Sequence, residues 1–94
     1  MQDELLLKIL KLDLGILHDK HDDLLIQLIS TARQNIQAEG ITIGETESDM
    51  SLVRMYAAWM YRQRANPENH MPKMVRRGLN NKLFAQKATV ETDV

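Results

Sequence analysis

The chain has 94 residues and 10.8 kDa, with 12 Lys and Arg against 13 Asp and Glu, so its formal net charge is −1. That length holds one small domain, which buries only ~60–68% of its unfolded surface and keeps a thin margin of stability. The absence of cysteine excludes disulfides, cysteine-ligated zinc and thiol nucleophiles, and aromatic residues at 4% leave the core to Leu, Ile, Val, Met and Ala.

The most apolar stretch, Leu5 to Leu17, is interrupted by Lys8, Lys11 and Asp13 and is too short and too charged to span a bilayer. Asp3 and Glu4 stand where a secretory signal carries basic residues, so a soluble, non-exported protein is expected. A first helix is predicted over roughly Asp3 to Leu12, with Leu5, Leu6, Ile9, Leu10 and Leu12 as its apolar face. Gly15 breaks the pattern, and the polar run His18 to Asp23 leads into a second helix ending near Glu39. In that helix Leu25, Leu28, Ile29, Ala32 and Ile36 recur at threes and fours. Asp22 suits its N-cap and Gly40 the position just past its end.

Residues 40–48 read as a loop. A third helix is predicted from Ser48 or Asp49, either of which can cap it, to about Arg64, burying Leu52, Val53, Tyr56, Ala57, Trp59 and Met60. Tyr61 falls off that stripe and is the better surface aromatic. Pro72 suits the first turn of a fourth helix, whose Val75, Leu79 and Leu83 are spaced by four and extended by Phe84. Strand signals are nearly absent, so the expected architecture is an all-α bundle of about four helices over residues 1–87, with a flexible tail over 88–94.

No glycine-rich phosphate loop and no nucleophile setting is present, and Asp22 and Asp23 diverge by about 100° on a helix, so no enzymatic activity and no cofactor are expected. His18 and His21 with Asp19, Asp22 and Asp23 offer ligands suited to a metal-dependent hydrolase. Without a second cluster to close the shell, they read instead as solvated residues at a helix start, and no metal site is assigned. The charge distribution says more. Residues 1–50 hold 4 basic and 10 acidic side chains, a balance of −6, whereas residues 51–87 hold 8 basic and 1 acidic, a balance of +7. Such a split suits either a basic surface for nucleic acid or an acidic half that meets the basic half of another copy, which generates rings or filaments.

Four segments in order resemble the small head–tail connector, or adaptor, proteins of tailed bacteriophages. They are Leu6-Leu7-Lys8-Ile9-Leu10 ahead of a glycine, Asp22-Asp23-Leu24-Leu25 opening a helix, Ala58-Trp59-Met60-Tyr61 followed by Arg64, and Met71-Pro72-Lys73-Met74-Val75 running into Leu79-Asn80-Asn81. The resemblance covers about residues 5–86. It implies a helical subunit without enzymatic activity or cofactor that assembles with itself into a ring, dodecameric in that family. The ring sits beneath the portal protein, extends the channel for passing double-stranded DNA, and docks the next neck or tail-completion protein. The implied location is the virion neck, after assembly in the host cytoplasm. The family has no catalytic motif to carry over. The candidate interface or channel residues follow from charge and exposure: Arg62, Arg64, Arg76, Arg77 and Tyr61 on one side, Asp19, Asp22, Glu45 and Glu47 on the other. Contact of these arginines with a neighbour's carboxylates is preferred to contact with phosphate, because tight phosphate binding opposes DNA passage. The competing reading is a small helical DNA-binding or regulatory protein that uses the basic third and fourth helices.

Overall fold

A computed structural model describes the backbone of residues 2–92 and the side chains of residues 4–88. The described residues form four helices and no strand: α1 (Gln2–Leu14), α2 (Asp22–Ala38), α3 (Glu47–Ala65) and α4 (Lys73–Thr92). The expected tail falls largely on positions whose side chains, from 89 onward, lie outside the described residues, as do 93 and 94 entirely. Among the described residues no helix is long and apolar enough to cross a membrane.

Each helix boundary has a local chemical cause. At the end of α1, Ile16 N–H donates to the Lys11 carbonyl (2.9 Å) and Gly15 N–H to that of Leu12 (3.2 Å), while Gly15 takes φ +71°. This paired closure needs a left-handed residue, which glycine supplies without steric cost. Gly40 does the same past α2 at φ +90°. The first residues of α2 and α3 differ from expectation. Asp22 lies inside α2 rather than capping it; His21 is the cap residue, with no side-chain cap bond. In α3 the cap is Thr46 rather than Ser48 or Asp49: its hydroxyl accepts from Asp49 N–H at 3.2 Å, and the helix begins at Glu47. Pro72 lies immediately before α4, and its carbonyl accepts from the N–H groups of Val75 and Arg76 at 3.1 Å.

The core joins Leu6 and Leu10 of α1, Leu25, Ile29, Ala32 and Ile36 of α2, Leu52, Val53, Tyr56 and Ala57 of α3, and Val75 and Leu79 of α4. The α3 helix packs against all three others, and α4 rests on α3. The α3–α4 pair is antiparallel and close, because Gly78 presents no side chain where Leu52 Cδ2 would lie 2.7 Å from a Cβ. The long axis of the molecule is 50 Å and its radius of gyration 14.2 Å, above the ~12 Å of a rounder chain this size.

Three expected core positions are exposed. On α1 only Leu6 and Leu10 are buried; Leu5 and Leu12, 50% and 71% exposed, form a second line seven residues apart that faces away from α2 and α3. A helix apolar on more than one side has buried only part of its hydrophobic surface. Phe84 does not extend the α4 stripe and is 65% exposed, since one residue past Leu83 turns it about 100° away. Leu10→Ala is therefore expected to cost ~2–5 kcal/mol, and Leu12→Ala to change stability by less than ~0.5 kcal/mol, in urea unfolding at low protein concentration.

Candidate functional site

The connector between α2 and α3 is clamped to α4 along its length. Gln86 holds Thr42 at both ends of its amide: Thr42 N–H donates to Oε1 and Nε2 donates to the Thr42 carbonyl, each at 2.9 Å. A side chain thus supplies the pairing that a neighbouring strand would give an extended segment. Ile41, 2% exposed, anchors the connector in the core. Arg76 of α4 grips Glu39 through both guanidinium nitrogens, which raises the pKa of the guanidinium further.

At the centre of this clamp lies Asp49, a charged side chain only 4% exposed. It accepts from Gly44 N–H at 2.8 Å and forms an ion pair with Lys82 of α4. Burial pushes its carboxyl up, but the Lys82 ammonium and the Gly44 and Thr46 hydrogen bonds outweigh burial and hold it below the usual aspartate range. One carboxylate therefore joins the connector, the start of α3 and the middle of α4. The charge pattern did not single it out, because an aspartate in the first helical turn reads as an ordinary dipole or capping residue.

Much of the charge split closes within the subunit. Lys11 pairs with Asp19 (2.7 Å) and Asp22 (2.8 Å), Arg54 with Asp13, and Arg76 with Glu39. The hydrogen bonds that Lys11 donates to the Asp19 and Asp22 carboxylates raise its pKa, and Lys11 lowers that of Asp19. Of the nine candidate interface residues, Arg76, Asp19 and Asp22 thus have partners on their own chain. Tyr61 is half-buried at the edge of the core, its ring 6.3 Å from that of His21. Arg62, Arg64, Arg77, Glu45 and Glu47 are exposed and form no ion pair among the described residues.

Arg62 and Arg64 belong to the last turn of α3, and Lys73 and Arg77 to the start of α4, so the unpaired cations gather where α3 hands over to α4. Trp59 Nε1 donates to the Asn69 carbonyl at 2.9 Å and fixes that turn, and its ring meets Tyr56 edge-on at 5.6 Å. Beside it runs an open groove between α3 and α4. A hollow of about 340 Å³ near Ala58, Trp59, Arg62 and Pro72 continues, through Met55 and Met74, into one of about 540 Å³ near Ser51, Gly78 and Ala85. At the α1–α2 corner Leu12 and Leu17 are exposed, Leu17 to 91%, around a shallow apolar hollow with Leu7 and Ile16. The His18 and His21 rings stand 5.2 Å apart, but no group of three or more metal-ligating side chains converges among the described residues.

No protein-family model, curated protein or solved structure matches this chain.

Asp49 makes stability depend on acid. Its lowered carboxyl contributes fully above the ordinary aspartate value near ~3.9, and the contribution fades as pH falls through the lower folded value. Asp49→Asn is expected to cost ~1–3 kcal/mol at pH 7 in denaturant unfolding. The gap between variant and parent should narrow as the pH drops below ~4.

Proposed function

We propose that the protein is a structural subunit of a tailed phage or prophage particle, a ring-forming adaptor that joins head to tail beneath the portal. The observation that carries this reading is the charge at the start of α4. Its first turn holds no carboxylate, and Lys73 and Arg76 stand where the helix dipole is already positive, with Arg77 just beyond. Each cation there opposes the dipole by ~0.3–1 kcal/mol. Glu39 offsets Arg76, but Lys73 and Arg77 have no such partner among the described residues. A surface that costs the lone subunit stability is supported by a partner that brings negative charge. In a ring that partner is the next subunit, and the resemblance to head–tail connectors supplies the setting: portal above, a neck or tail-completion protein below, and duplex DNA through the middle.

Small size supports the same reading, since a thin core gains from neighbours. Exposed leucines at one corner and a methionine-lined groove elsewhere leave apolar surface for such neighbours to cover. The competing reading, a DNA-binding protein, draws on the four unpaired cations Arg62, Arg64, Lys73 and Arg77. Four phosphate contacts would give a salt slope near about −4 in log–log form.

Sedimentation velocity and native mass spectrometry across a concentration series, with and without portal protein, separate the two. The expected result is a closed ring-sized species that weakens as salt rises. A strict monomer under all conditions, or a monomer that shifts linear duplex DNA with that steep slope, contradicts the assembly reading.

A further inference from the structure

The two unsatisfied apolar features lie on different parts of the subunit. One is the knob at the α1–α2 corner, where Leu17 is 91% and Leu12 71% exposed. The other is the α3–α4 groove, whose middle is formed by Met55 and by Met74, itself 71% exposed. Neither is covered by other elements among the described residues. Methionines suit a receiving groove because their unbranched side chains adapt to what enters.

The charges left open around the two features lean to opposite signs. At the knob Glu4 lines the hollow beside Lys8, and Asp19, its side chain 88% exposed, is held there by Lys11. Asp13 lines the groove, but it is paired with Arg54. Arg62 borders the groove, and Lys73 and Arg77 stand on the α4 turn next to Met74; all three are exposed and unpaired among the described residues. The sole cation paired to Asp19 is Lys11, and that pair leaves the outer side of the carboxylate to solvent.

We infer that the Leu12–Leu17 knob of one copy seats in the α3–α4 groove of the next, with Asp19 facing Arg62, Lys73 and Arg77. The inference rests on the assembly reading above and names its contact surface. Because knob and groove are distinct patches, the contact is heterologous. Every copy offers a free knob and a free groove until a ring closes. The interface is thus specified twice, by apolar fit and by charge, and the like-charged pairings of knob on knob or groove on groove are disfavoured.

Complementation tests this directly. The Leu12→Ser/Leu17→Ser variant loses its knob and keeps its groove; Met74→Glu does the reverse. All three positions are exposed, so both variants should unfold at the parent's denaturant midpoint. Each variant alone is expected to self-associate about 10- to 100-fold more weakly than the parent in sedimentation equilibrium. Mixed, they should form a one-to-one pair and nothing larger, since only one good knob and one good groove can meet. If the parent assembles and both variants assemble equally well, the assembly reading stands and this surface is overturned. A mixture that yields no pair overturns the surface as well. A parent that stays monomeric at every concentration overturns both, and a monomeric parent whose Met74 is required for binding portal protein assigns the groove to a different occupant.

Discussion

The geometry of this small protein depends on a carboxylate taken out of water. Asp49 is held by the ammonium of Lys82 and the N–H of Gly44, and it sits where three pieces of chain meet. Leaving such a charge unpaired inside a protein costs several kcal/mol, so the three pieces move together or not at all. With α4 secured there and at Thr42–Gln86 and Glu39–Arg76, the spacing between α3 and α4 is set on both sides. The α3–α4 groove exists because of that spacing. Gly78 lets the helices approach closely at Leu52, and they leave the open hollow beyond it.

The electrostatics divide into two classes. One class stabilises the subunit: Asp13–Arg54, Glu39–Arg76 and Asp49–Lys82 join the acidic half to the basic half, and Lys11 pairs with Asp19 and Asp22 inside the acidic half. Most of these are partly exposed, and exposed pairs contribute little each; only the Asp49 pair is deep enough to govern packing. The other class is the unpaired cations around the α3–α4 turn: Arg62 and Arg64 complement the dipole at the end of α3, whereas Lys73 opposes that at the start of α4. Residues that a fold tolerates at a cost are where external contacts are to be sought.

How much of this was legible in the sequence follows from what sets each feature. The helices were readable because Leu25, Ile29, Ala32 and Ile36, and likewise Val75 and Leu79, keep helical spacing and are all buried. Pattern alone failed on α1, where leucine occupies almost every side. Periodicity cannot say which side is covered when nearly all are apolar, and Leu5 and Leu12 proved to be outside. The clamp was illegible for a different reason. Thr42 and Gln86 lie 44 positions apart, and neither carries a local signal of the other. The charge split was visible as a total, yet its partial cancellation through Arg54, Arg76 and Lys82 required the fold. What remains after cancellation is a smaller and better-located cation cluster than the sequence suggested.

In the inferred assembly one chain carries both halves of its own contact, at Leu17 and at Met74. The natural absence of cysteine makes a direct measurement possible. In the Leu17→Cys/Met74→Cys variant, mild oxidation should give a ladder of disulfide-linked dimers, trimers and higher species on a non-reducing gel, ending at the ring size. Each single variant should give no species beyond a dimer. A double variant that stays monomeric under oxidation, at concentrations where the unmodified chain assembles, would contradict the claim.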